Sequence, residues 1–240
     1  MSERFLEGVD ALVTGASRGI GRHVALSLAE AGAGVLPVSR GGPGLEEVAR
    51  RCGREALTAD LTDDEQIRAL VEEVRRRLGG PPHVLVNNAG VFDLAAAHET
   101  PTEVLDRHLS LNLRAPALLT REFLGAMRER GDGHLVHLGS VAGRRALPGN
   151  AAYSASKFGL RGLHEVLRVE LQGSGVCSTL LEPGAVDTAA WDDLEERLGD
   201  DLPAREAMLA PGQVARAVVD VLRMGPYGRG GSPDSLSLEP

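Results

Sequence analysis

Aromatic side chains make up only 3% of the 240 residues, so the 42% hydrophobic content rests on Leu, Val and Ala and predicts a sizeable aliphatic core. Cysteine is nearly absent. Cys52 and Cys177 stand far apart and match no metal-ligand spacing, and the histidines form none either, so no metal is expected. That cysteine usage points to a reducing, cytoplasmic setting. No apolar run approaches the roughly 20 residues that span a bilayer, which argues against a membrane partner. Met1 to Asp10 carries acids and lacks the apolar stretch of an export leader. Basic charge is in deficit: 26 Lys and Arg face 34 Asp and Glu, for a net charge of −8. A surface with that balance is ill suited to nucleic acid, because it has no excess cation to neutralise phosphates.

Lysine is the scarcest charged residue. Lys157 stands alone beside 25 Arg. A chain that uses Arg for its surface cations has reserved Lys157 for something a compact ammonium does and a guanidinium does not, such as tuning a neighbour's proton affinity. Tyrosine is almost as rare, and Tyr153, one of two, precedes Lys157 by four residues. The four Asn fall at 87, 88, 112 and 150.

Glycine, by contrast, is plentiful, and Gly15, Gly19 and Gly21 mark the first legible feature. Residues 9–14 read as a strand, and 17–31 as a helix with Ile20, Val24 and Leu28 at helical spacing. Strand, glycine turn and helix offer free backbone N–H groups and a positive helix end to a pyrophosphate. A tight turn needs glycine without any ligand, so this feature by itself does not decide the function. Further strands are predicted at Val35–Ser39 (Pro37 marking an irregular or edge-like position), Ala56–Ala59, Val84–Val86, Leu135–Leu138 and Val176–Leu181. A final short strand is expected at Ser235–Leu238. Helices fall at Leu45 to about Arg51, after Thr62 as N-cap with Glu65 completing a capping box, through a long region Pro101–Arg130, and at Ala151–Gln172. The alternation predicts an α/β fold: a single-domain, Rossmann-type doubly wound parallel sheet with helices on both faces, spanning 1–240. Gly15, Asp60, Asn87, Ser140 and Pro183-Gly184 all follow strand ends and should share the crevice where such sheets bind ligands.

Tyr153 and Lys157 are i and i+4 on a predicted helix and face the same way. An ammonium beside a phenol favours the phenolate and lowers its pKa from about 10, which equips the pair to exchange a proton with a carbonyl oxygen. Ser140, at a strand end thirteen residues upstream, could bind the same oxygen. Asn112 sits in the apolar helical stretch Leu109–Leu113, where a buried amide needs partners. The second strand is expected to end at Ser39, where NAD sites usually carry an acid for the ribose hydroxyls. Ser39, Arg40 and Arg18 suit a 2′-phosphate instead and favour NADP over NAD.

Thr14-Gly15-x3-Gly19-x-Gly21, Asn87-Asn88-Ala89-Gly90, Ser140, Tyr153-x3-Lys157 and Pro183-Gly184 stand in an order and spacing that resemble the short-chain dehydrogenase/reductase family over residues 8–190. The resemblance implies hydride transfer between a nicotinamide and a ketone or secondary alcohol. It casts Tyr153 as acid/base, Lys157 as its tuner and a ribose ligand, Ser140 as the carbonyl-orienting hydroxyl, and Asn112 as holder of a relay water. It further implies that Gly15, Ser17, Arg18, Gly19, Ile20, Gly21, Ser39 and Arg40 line the cofactor. Asp60 would contact the adenine, Asn87 would lie along the adenosine side and Thr188 would meet the carboxamide, with Leu61, Ala89, Gly90, Pro183, Gly184 and Val186 also binding the cofactor. A substrate lid is implied at about 188–210, where Trp191 could close over an apolar group or the acidic run could be a solvated helix. Residues 225–240 form a glycine-rich tail. The helices near 101–130 and 151–172 resemble those through which members pair as homodimers or homotetramers. Substrate readings include a 3-oxoacyl thioester and a β-hydroxy or diol compound. A non-catalytic dinucleotide sensor or scaffold is the alternative.

Overall fold

The computed structural model describes residues 4–192, 194, 202–227 and 234–239. Strands β1 (Asp10–Thr14), β2 (Gly34–Ser39), β3 (Leu57–Thr58), β4 (Val84–Asn87), β5 (Gly133–Leu138), β6 (Val176–Pro183) and β7 (Ser235–Leu238) form one sheet in the order β3-β2-β1-β4-β5-β6-β7. Every neighbouring pair is parallel. The winding reverses between β1 and β4, which opens a crevice beyond their carboxyl ends.

The two-residue period of a strand splits β1 between two cores. Val13 packs with α1 (Gly19–Glu30), α2 (Pro43–Cys52) and the last helix, α7 (Pro211–Met224). Leu12 packs on the other face with α3 (Asp64–Leu78), α5 (Ala115–Arg130) and α6 (Ala151–Glu170). Both residues are fully buried, as the apolar run Leu12-Val13 predicts for a strand covered on both sides. The whole is a single-domain Rossmann-like sandwich.

Local differences from the sequence reading have physical causes. The cap of α3 is Asp63, not Thr62. The Asp63 carboxylate accepts from the backbone N–H groups of Glu65 and Gln66, while the Thr62 hydroxyl donates to Asp60 Oδ1 at 2.7 Å. The region 101–130 is helical from Thr102 onward but not uniformly α. It divides into α4 (Thr102–Leu109), a π-helical segment Ser110–Arg114, and α5. Pro37 is tolerated because β3 pairs only with Val38 and Ser39, so no ladder partner lies across from it on that side. β7 extends the sheet beyond β6 as the final strand.

Candidate active site

The cleft has two lobes at the carboxyl ends of the strands, joined through Ile20, Asn88, Gly90, Val91, Thr188 and Ala190. The first lobe, about 490 Å³, is built by the glycine turn. Gly15 has φ +68°, and a Cβ on it would stand 2.8 Å from Ala89 Cα. A Cβ on Gly21 would fall 2.3 Å from both Asn88 Nδ2 and the Gly15 carbonyl oxygen. Only hydrogen lets these backbones meet. The first turn of α1 has no side-chain cap and no acid, so its N–H groups stay available to an anion in this lobe. A dinucleotide pyrophosphate fits that cradle on those two grounds.

Thr14 fastens the floor. Its hydroxyl donates to the Val86 carbonyl at 3.1 Å and accepts from the N–H groups of Asn88 and Ala89, each at 3.0 Å. Asn88 completes the tie by donating from Nδ2 to the Thr14 carbonyl at 2.8 Å. Thr14 appears in the motif, yet its role in joining β1 to β4 was not read from the sequence. Its only signal was a hydroxyl at the end of an otherwise apolar strand.

Ser17, Arg18, Gly19, Ile20, Ser39, Arg40, Asp60, Leu61, Ala89, Gly90 and Thr188 all line the first lobe, together with Gly15 and Gly21. Asp60 is held below the usual carboxylate range by hydrogen bonds from Thr62, with a smaller contribution from the Arg40 guanidinium. Neither Arg18 nor Arg40 has a carboxylate within salt-bridge distance among the described residues. Asn87 departs from expectation. Its side chain is buried and turned toward α5 and β5, with Nδ2 3.5 Å from Thr120 Oγ1 and 3.3 Å from His137 Nδ1, so it is not available to a ligand in the cleft. Asn88 lines the cleft instead. Alternation along β4 separates the two: the strand ends at Asn87, and the turn begins at Asn88.

Ser140, Tyr153, Lys157, Pro183, Gly184, Val186 and Thr188 line the second lobe, about 560 Å³. Ser140 ends the β5 run, and its hydroxyl accepts from the Ala142 N–H at 3.2 Å. Lys157 Nζ lies 5.6 Å from the centre of the Tyr153 ring and donates to the Leu138 carbonyl at 2.7 Å. The electrostatics differ from the sequence expectation. Burial pushes the Tyr153 phenol up, and a hydrogen bond with Ser140 opposes this shift. Burial pulls the Lys157 ammonium down to about 8. Desolvation penalises both charged forms. The hydrogen bond with Ser140 favours the phenolate.

Asn112 is buried in the π-helical segment and lines neither lobe. Its Oδ1 accepts from the Val91 N–H at 2.8 Å, and its Nδ2 donates to the Val91 carbonyl at 2.9 Å and to Ser156 Oγ at 3.0 Å. Both amide hydrogens are therefore taken. The side chain fastens the loop after β4 to α6, where the Ser156 hydroxyl donates to the Tyr153 carbonyl at 2.6 Å. At the end of β6, buried Glu182 pairs with Arg161 of α6 at 2.6 Å.

Phe92 was missed. Its ring centre stands 4.8 Å from that of Tyr153 and 4.9 Å from that of Trp191, edge-on to each. The scarcity of aromatics was its one signal. Trp191 is fixed by a bond from Nε1 to the Val186 carbonyl at 3.0 Å, and Arg205 clasps the same segment through Asp187 and Asp192, each at 2.8 Å. Of the expected lid, 193 and 195–201 lie outside the described residues. So do 228–233 and 240 of the expected tail. No cluster of three or more metal-ligating side chains occurs among the described residues.

The sequence profile of the family described as short chain dehydrogenase matches residues 10–199. A short chain dehydrogenase of Pseudocercospora fijiensis is 39% identical over 197 residues, 78% of this chain and 63% of that one. Ketoacyl reductase HetN of Nostoc is 34% identical, covering 91% of this chain and 76% of its own length. A solved structure described as a putative NAD(P) dependent gluconate 5-dehydrogenase from Beutenbergia cavernae, with bound NADP at low occupancy, superposes with a TM-score of 0.82. It is 34% identical, and the match covers 98% of this chain and 97% of that one.

The fold and cleft are those of an oxidoreductase acting on CH–OH or C=O groups. The chain belongs to the short-chain dehydrogenase/reductase family, whose members bind NAD or NADP.

Proposed function

We propose that this chain carries out NADP(H)-dependent hydride transfer between the nicotinamide and a ketone or secondary alcohol. The observation that carries the reading is the convergence of Ser140, Tyr153 and Lys157 on one lobe that opens into the glycine-lined lobe. When bound, the nicotinamide supplies or takes the hydride. In the reducing direction the Tyr153 hydroxyl gives its proton to the carbonyl oxygen, and the Ser140 hydroxyl donates a hydrogen bond to that oxygen as charge develops on it. The raised phenol suits the acid role. Lys157, with a pKa near 8, stabilises the phenolate left behind and offers donors to ribose hydroxyls. Asn112 supports the group by holding the Val91 loop and α6 in register.

The preference for NADP rests on Ser39, Arg40 and Arg18 around the first lobe and on the lack of an acid at the end of β2. The bound NADP in the Beutenbergia relative is consistent with it. The HetN relative keeps a 3-oxoacyl thioester among the candidate substrates. The test is Tyr153→Phe assayed with NADPH on a panel of ketones. Turnover should fall on the order of 10²–10⁴-fold, with dinucleotide affinity preserved. Near-normal turnover would end the mechanism.

We also propose that α6 pairs two copies of the chain. Its outer stripe, Ala155, Phe158, Gly162, Val166 and Val169, is apolar at helical spacing, and Phe158, Val166 and Val169 are 48%, 54% and 68% exposed. Sedimentation of Phe158→Glu should yield monomers where the parent sediments as a dimer or tetramer. A parent that sediments as a monomer would refute the pairing.

A further inference from the structure

We propose that the substrate is an uncharged ketone, or its alcohol, whose reacting oxygen is its one polar group inside the cleft and whose substituent is a flat apolar ring. This rests on the dehydrogenase reading above and adds the chemical class of its substrate. The charges come first. Among the described residues lining the second lobe, Lys157 is the one ionisable side chain besides Tyr153, and its ammonium donates to the Leu138 carbonyl. No guanidinium, imidazole or carboxylate of the described lining faces the space, so an ammonium on the substrate would lose its hydration there without a counter-charge, and a carboxylate or phosphate would meet only Lys157, which already serves the Leu138 carbonyl and the ribose.

The neutral polar side chains each hold a backbone partner already. Asn88 Nδ2 donates to the Thr14 carbonyl at 2.8 Å, and Asn150 Nδ2 to the Pro148 carbonyl at 3.2 Å. Thr188 Oγ1 accepts from the Ala190 N–H at 3.4 Å. A site for a polyol needs several side chains aimed at hydroxyl groups. Here they are turned onto their own backbone.

The remaining wall is apolar and held in place. Phe92, Leu94, Leu147, Trp191, Leu202 and Pro203 surround the approach to Tyr153. Phe92 stands between Tyr153 and Trp191 at ring-centre distances of 4.8 and 4.9 Å, so three rings meet in this lobe. The two mouth loops are tied by the Ala95 N–H donating to the Gly149 carbonyl at 2.8 Å. Such a pre-formed aromatic corner favours a planar ring over a flexible chain, since the ring has little conformational freedom to lose.

The test uses the full-length protein with NADPH and three probes: 2-tetralone, 5-keto-D-gluconate and the acetoacetyl thioester of N-acetylcysteamine. The expected result is a kcat/KM for 2-tetralone at least about tenfold above either of the others. The ratio of 2-tetralone to the acetoacetyl thioester should fall at least about tenfold in Trp191→Ala and in Phe92→Ala. Preference for the keto acid or the linear thioester, or a ratio unmoved by both substitutions, overturns the assignment. Trp191 is the one tryptophan of the chain, so its fluorescence reads occupancy of this corner without turnover. Saturable quenching by 2-tetralone in the presence of NADP⁺, with no turnover of any probe, would remove the dehydrogenase reading and support the pocket assignment. Turnover without saturable quenching would do the reverse.

Discussion

The two lobes of the cleft are made from different materials. The first is backbone: glycines at 15, 19 and 21, a helix end without a side-chain cap, and a threonine that joins β1 to the loop after β4. The second is side chain: Phe92, Leu147, Trp191 and Leu202 arrive from separate loops and meet around Tyr153. A backbone cradle recognises what every dinucleotide shares, because N–H groups and closeness of approach do not depend on side-chain identity. A side-chain wall recognises what differs between substrates. One architecture can therefore keep its cofactor lobe while its second lobe is rebuilt for another molecule.

The sharpest way to break this contrast is to give the first lobe a side chain. In Gly21→Ala the new methyl meets the Gly15 carbonyl, which is backbone and cannot step aside. A loss of about 3 kcal/mol in stability is expected from such overpacking, along with weakened dinucleotide binding, read by chemical denaturation and by titration. A variant as stable and as tight-binding as the parent would show that the cradle tolerates bulk. A smaller effect is expected from Ser39→Asp, which places an acid at the end of β2. The ratio of kcat/KM for NADPH to that for NADH should fall on the order of 100-fold, and an unchanged ratio would remove Ser39 from cofactor choice.

The smallest effect concerns the sheet beneath the second lobe. His134 and His137 on β5 are buried, and desolvation pulls each down to about 3. The unfolded chain then binds more protons than the fold between about pH 6.5 and 3, so stability is fully present above 6.5 and declines as pH falls through that window. From pH 6.5 to 5 each contributes a loss of about 2 kcal/mol. Thermal unfolding of His137→Asn should lose less stability on acidification than the parent. An identical slope would mean that His137 protonates freely in the fold.

Much of the first lobe was legible because its signals are local. Gly15, Gly19 and Gly21 sit within seven residues, and turn chemistry acts at that range. Asn87 and Asn88 show the limit: two identical neighbours, one turned under the sheet and one into the cleft, separated only by where β4 ends. The proton chemistry shows another limit. The i, i+4 spacing places Tyr153 and Lys157 on one side of α6, yet burial sets the direction of both shifts, and burial depends on strands and loops distant in sequence.

The order of residues alone determined the strand–helix alternation, the parallel sheet, the glycine turn and the shared direction of Tyr153 and Lys157, because periodicity and backbone sterics are short-range. Only the tertiary structure decided that Phe92 joins Trp191 beside Tyr153, that Asn112 fastens α6 to the Val91 loop, and that Ser140 reaches the phenol. Those contacts bring together segments tens of residues apart, and no local pattern encodes which distant side chains will meet in a dry space.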